Sequence, residues 1–256
     1  EQEVNEDDNL TLSLDYSDAD GDDLSVLVSS SNENVPISLD GLVLILNPSE
    51  NYNGSTIVTV TVSETNGEYQ TSESFNVMVN PVNDAPSMVT VSDVSTLEET
   101  SINVLLNATD IDGDTDFSFT AESDSELFSL SVSGSTLTIA PVTNQVGTGF
   151  VLVIASDGNL ESSTVSFDVE IENVNDAPVL SYIETPDSAL EDGNNITVTL
   201  NASDVDGDSV SFSANTSNPY LFESISIDGN ILTLNPADNA SGSSTVYVFA
   251  SDGSTT

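Results

Sequence analysis

The sequence predicts an all-β chain, a tandem array of Greek-key β-sandwich modules. Three observations predict it. The pentapeptide Asp-x-Asp-Gly-Asp recurs at Asp18–Asp22, Asp110–Asp114 and Asp204–Asp208, 92 and 94 residues apart. Val-Asn-Asp-Ala-Pro stands at Val82–Pro86 and Val174–Pro178, again 92 apart. Between these markers apolar and polar residues alternate over short runs bounded by turn residues, and no window carries the i, i+3, i+4, i+7 spacing of a helix. A fixed period of this length is one small domain. The expected modules are residues 1–84, 85–176 and 177–256.

The middle copy is expected to be complete. Its candidate strands are Ser101–Asn107, Phe117–Ala121, Thr136–Ala140, Phe150–Ser156 and Ser163–Glu172. The last reads Val165-Ser166-Phe167-Asp168-Val169-Glu170-Ile171, apolar on one side and polar on the other, as a half-buried strand requires. Leu42–Asn47 and Ile231–Asn235 echo Thr136–Ala140, and each is followed by Pro. Ile57–Ser63 and Val246–Ser251 echo Phe150–Ser156. About seven strands per module around one core make a sandwich. The first copy lacks a counterpart to Ala85–Leu97, and the third lacks one to the strand that follows Asp157-Gly158. The expectation is therefore a window from a longer array, its third module short of a final strand.

The 256 residues hold 44 acidic side chains and no Lys, Arg or His, a formal charge of −44. Nucleic acid and anionic membrane surfaces both require Lys or Arg, so neither is an expected partner. No run approaches the ~18 apolar residues of a membrane span, so direct insertion is not expected. Disorder is the usual reading of such charge, but 37% hydrophobic residues in clean alternation oppose it. There is no Cys for a disulfide or a thiolate metal site. An enzyme is not expected: general-base and covalent catalysis find no His, Cys or Lys, and no Gly-x-Ser-x-Gly elbow occurs.

Carboxylates that cluster without a protein cation need one from solution. Residues i and i+2 of an extended segment point the same way about 6.6 Å apart. Two Asp side chains leaning inward from that spacing could grip one calcium at about 2.3–2.6 Å. Asp18 with Asp20, Asp110 with Asp112, and Asp204 with Asp206 are the candidate pairs. An acidic residue precedes each at nearly constant distance: Glu6, Glu98 and Glu191. The competing reading is an Asp-Gly turn with solvated side chains. A turn does not need alternating Asp, so Ca2+ is the expected cofactor. Position six of the pentapeptide frame is not Gly and position twelve is not Glu, so an EF-hand is excluded. No Gly-Gly pair exists for a glycine-rich calcium repeat.

The ordered set of early Glu, Asp-x-Asp-Gly, Ala-Ser-Asp-Gly and Asn-Asp-x-Pro linker resembles the cadherin repeat. More closely it resembles the cadherin-like modules of large bacterial surface adhesins. The resemblance implies a cadherin-like/Ig-like Greek-key sandwich with calcium between successive modules. Carried over, the first junction would use Glu6, Asn83, Asp84, Asp110, Asp112 and Asp157. The second would use Glu98, Asn175, Asp176, Asp204, Asp206 and Asp252. The cadherin Leu-Asp-Arg-Glu motif has no counterpart, and the first copy reads Ser63-Glu64-Thr65-Asn66-Gly67 where the others have Ala-Ser-Asp-Gly. Asn-Asp-Ala-Pro is also compatible with a simple turn.

The expected role is a calcium-rigidified spacer or stalk of an extracellular adhesin or surface filament, on a bacterial cell surface. The alternative is a sandwich that binds a carbohydrate or protein ligand, although Trp is absent and the six Tyr are scattered. Expected partners are neighbouring modules of the chain and other filament subunits through strand addition. Seven Asn-x-Ser/Thr sequons, at Asn9, Asn53, Asn107, Asn195, Asn201, Asn215 and Asn239, are at the level chance supplies in so Asn- and Ser-rich a chain.

Overall fold

The computed structural model describes residues 1–65 and 67–254; Asn66 of the divergent first-copy loop lies outside them. Among the described residues regular structure is β, apart from one 3-10 turn at Pro219–Leu221. The chain is a tandem array of Greek-key sandwiches around three separate cores.

The first core is built on Val35, Leu44, Leu46, Val58, Val77 and Val79. Over it lies a four-stranded sheet in the order Gln2–Asn5, Gln70–Asn80, Gly54–Glu64, Leu24–Ser30. The facing sheet runs Leu10–Ser13, Val43–Leu46, Ile37–Asp40. The second core repeats the plan with Ser118–Glu122, Gly147–Ser156, Val165–Glu172 and Val94–Leu97 against Ile102–Leu105, Thr136–Pro141 and Phe128–Ser133. Alternation drives it: Phe167, Val169 and Ile171 are buried while Ser166, Asp168 and Glu170 face out. The third core is centred on Leu200, Leu232 and Leu234, between a three-stranded sheet and the pair Ser211–Thr216/Val246–Ser251.

Equivalent hairpins use equivalent turns. Asp40 faces Val43, Ser133 faces Thr136, and Asp228 faces Ile231 across two-residue loops. Gly41, Gly134 and Gly229 open those loops at φ 60, 59 and 60, which a side chain would strain. These glycines fix the register that sends Leu44, Leu137 and Leu232 into their cores.

One pairing positions the candidate site residues. In the first two sandwiches the opening strand lies parallel to the closing one, Gln2–Asn5 beside Gln70–Asn80 and Val94–Leu97 beside Val165–Glu172. The residue after each opening strand, Glu6 or Glu98, is thereby delivered to the start of the linker. Glu191 follows no such strand: the segment from 181 to 195 forms no β-strand, and Glu191 is exposed.

Candidate metal centres at the two linkers

Glu6 donates its backbone N–H to Asn80 O at 2.9 Å, extending the parallel ladder by one bond. Its side chain then turns onto the linker, where Val82 N–H donates to Glu6 Oε1 at 2.7 Å. Glu98 repeats both contacts, to Glu172 O at 2.9 Å and from Val174 N–H at 2.9 Å. Each of these glutamates is only 2% exposed. A carboxylate buried to this degree is costly without a partner, yet Oε2 of both accepts no hydrogen bond.

The downstream sandwich reaches the linker from the other side. Asp84 N–H donates to Asp112 Oδ2 at 2.7 Å, and Asn83 Nδ2 donates to Asp157 Oδ2 at 2.8 Å. Asn159 Nδ2 donates back to Asn83 Oδ1 at 3.2 Å. At the second linker Asp176 N–H donates to Asp206 Oδ2 at 2.7 Å, and Asn175 Nδ2 to Asp252 Oδ2 at 2.8 Å. The two linkers are thus held by the same atoms in the same roles.

The expectation of an extended Asp-x-Asp pair is corrected here. The pentapeptide bends instead, because the first Asp caps its own backbone: Asp110 Oδ1 accepts Asp112 N–H at 2.8 Å and Asp204 Oδ1 accepts Asp206 N–H at 3.0 Å. The fourth residue, Gly113 or Gly207, sits at φ 89 or 80. The bend curls the motif so that its fifth residue returns to the first. Ligand oxygens of Asp110, Asp114 and Asp157 lie within 4.8 Å of one another, as do those of Asp204, Asp206 and Asp208. A third such group joins Glu6, Asp84 and Asp112 across the linker.

Asp114 and Asp208 were not among the expected ligands, although the recurrence of Asp at the fifth position was visible in the sequence. Asp18 and Asp20 belong to none of the three groups. Asp18 Oδ1 accepts the N–H groups of Asp20, Gly21 and Asp22 at 2.7, 2.9 and 3.2 Å. The bonds from Asp22 and Asp20 hold the Asp18 carboxyl below the ordinary value. Asp176 reaches the Asp204–Asp208 group through its N–H bond to Asp206, while Glu98 and Asp252 meet the linker at Val174 and Asn175 without joining that group.

Electrostatics separates the linker carboxylates. Desolvation first, then the charges of Asp112, Asp7, Glu6 and Asp110, hold the Asp84 carboxyl above the ordinary 3.8. The Leu160 N–H first, with the Asn83 side chain and the Asn159 N–H, holds Asp157 below it. Among the described residues, five buried carboxylate oxygens have no hydrogen-bond partner: Glu6 Oε2, Asp84 Oδ2, Glu98 Oε2, Asp110 Oδ2 and Asp204 Oδ2. All five are at the linkers. Only oxygen donors are present there, the set that suits a hard divalent cation such as calcium.

No helix among the described residues is long and apolar enough to cross a membrane. Protocadherin gamma B2 extracellular cadherin domains 1–5 match at TM-score 0.53 and 16% identity, over 97% of this chain and 57% of that one, which shows a shared fold. Drosophila N-cadherin EC1-4 matches at TM-score 0.42 and 14% identity, over 97% of this chain and 71% of that one. The titin I-band fragment I67–I69 matches at TM-score 0.41 and 11% identity, over 95% and 87%. No curated protein matches the chain. The profile of the bacterial Ig domain matches residues 1–77 and 83–170. The chain belongs to the bacterial Ig domain family.

Proposed function

We propose that the chain is a calcium-rigidified spacer of an extracellular, cell-surface adhesin or filament, with modules at 1–84, 85–176 and 177–256. Calcium would lie at the two junctions between them. The observation that carries this reading is the set of five buried, partnerless carboxylate oxygens, all at the linkers. Glu6 from the upstream module, Asp84 from the linker and Asp112 from the downstream module would share one ion. Asp110, Asp114 and Asp157 would hold another within the downstream module. At the second linker Glu98, Asp176 and Asp206, which stand at the corresponding places, would share a third ion, and Asp204 with Asp208, beside Asn175 and Asp252, would hold a fourth. Each module has its own apolar core, so the ion would stiffen the array more than it folds it.

Small-angle scattering tests this. The chain should be extended in calcium, and in EGTA it should show a shorter mean dimension and faster proteolysis at residues 81–86 and 173–178. Identical scattering in both would overturn the reading.

Acid should weaken the junctions. Carboxylates must be ionised to hold the metal, and Asp84, with its carboxyl held above 3.8, takes up its proton earlier than an ordinary Asp as pH falls. Calcium affinity at the first junction should therefore begin to decline above the usual carboxylate range. Without calcium the sign reverses for this group. The folded chain binds the Asp84 proton more tightly than the unfolded chain, so its penalty at neutral pH disappears as pH falls through the raised value. Calorimetry at neutral and mildly acidic pH decides, and equal calcium affinities would contradict it.

A further inference from the structure

Directly after each early glutamate the backbone enters the left-handed region, at Asp7 (φ 65), Glu99 (φ 63) and Asp192 (φ 55). Each is the third residue of a four-residue turn, closed by Asp8 N–H to Asn5 O at 3.3 Å, Thr100 N–H to Leu97 O at 3.2 Å, and Gly193 N–H to Leu190 O at 3.2 Å. Such a position favours Gly or Asn. Asp tolerates it, whereas Glu there strains the backbone. Elsewhere among the described residues positive φ falls to twelve Gly and three Asn, yet an acid stands here three times.

A local structural role accounts for two of them. Asp7 Oδ1 accepts Asn51 N–H at 3.1 Å, and Asp192 Oδ1 accepts Asn239 N–H at 3.2 Å, which ties the turn to a neighbouring loop. Glu99 makes no equivalent bond, and its turn forms all the same. What Glu99 shares with Asp7 is its place behind a glutamate that is 2% exposed and carries a bare Oε2. The carboxylate of Asp7 is also close enough for its charge to act on Asp84.

We propose that Asp7 and Glu99 are positioning residues for a divalent cation at the junctions. Each is a negative charge on the turn behind the ligand glutamate, raising cation affinity without entering the coordination sphere. The proposal rests on the calcium reading above and adds a residue class to it. The turn holds Glu6 or Glu98 at the end of the parallel ladder. The acid at its left-handed position directly follows that glutamate in the chain, so its charge adds to the field at the buried oxygen, and the chain has no Lys, Arg or His to compete for it. A charge several ångströms from a divalent ion in a largely aqueous setting is worth on the order of a three- to tenfold change in affinity. It fades in high salt, where the screening length falls to about 3 Å.

Glu99 is the cleaner test because no side-chain bond confounds it. Calcium affinity of the full chain is measured by calorimetry at low and high salt, with thermal unfolding in EGTA as a check on folding. Glu99→Gln should weaken calcium by roughly three- to tenfold at low salt and much less at high salt. Glu99→Asp should retain the native affinity. Glu99→Gly should bind as weakly as Glu99→Gln while melting higher in EGTA, since it relieves the left-handed strain. Glu122→Gln, an exposed carboxylate in mid-sheet, should change little. If the native chain binds calcium and Glu99→Gln binds equally well, or if Glu122→Gln loses as much, the inference is overturned and the calcium reading stands. If the native chain binds no calcium, both fall.

Discussion

Glu6→Gln should stabilise the protein in EGTA and destabilise it in calcium. Gln keeps the oxygen that accepts Val82 N–H, and it replaces the bare Oε2 with an NH2 group. That group faces the Asp84 and Asp112 carboxylates, whose oxygens lie within 4.8 Å of Glu6. Without metal, a buried partnerless oxygen becomes a satisfied donor, a gain of about 1–3 kcal/mol. In a module of about 90 residues this raises Tm by several degrees per kcal/mol. With calcium present the same substitution removes an anionic ligand, so the stabilisation that binding confers on the folded state shrinks. Thermal unfolding in the two buffers measures both arms. A shift of the same sign in each would mean that Glu6 is an ordinary buried carboxylate.

Asp112→Ala should damage one junction and spare the other. It removes a member of the Glu6–Asp84–Asp112 group and the acceptor for Asp84 N–H. Loss of groups in and around a metal site commonly costs on the order of 10–100-fold in affinity. The second linker uses Asp206 in the same role and shares no ligand with the first. Limited proteolysis in calcium should therefore cut at residues 81–86 in the variant and leave 173–178 intact. Equal cleavage at both linkers would show that the junctions are not independent.

The fold was legible because its determinants are local. Alternation such as Phe167-x-Val169-x-Ile171 marks a half-buried strand without reference to the rest of the chain. The hairpin glycines mark register in the same way. Val94–Leu97 was not placed, since four residues are too few for periodicity and its partner, Val165–Glu172, lies some seventy residues away. Phe128–Ser133 alternates plainly and could have been placed. At the site, residue identity was readable and conformation was not. The Asp-x-Asp spacing suggested one face of a strand, whereas the Asp side chain competes for its own backbone N–H groups and bends the segment. That bend is why Asp114 and Asp208 join the groups. It is also why Asp18, with three N–H donors on one oxygen, is already satisfied by its own turn. The burial of Glu6 and Glu98 depends on a parallel strand pair and could not be read from spacing, although the constant interval to the pentapeptide pointed to both residues.

The central claim is that a divalent cation occupies the linker carboxylates, and anomalous scattering from crystals grown in calcium tests it most directly. An anomalous peak is expected about 2.3–2.6 Å from oxygens of Glu6, Asp84 and Asp112, with a second beside Glu98, Asp176 and Asp206. Crystals grown in millimolar calcium with no peak at either linker, and with water hydrogen-bonded to the five bare oxygens, would contradict it.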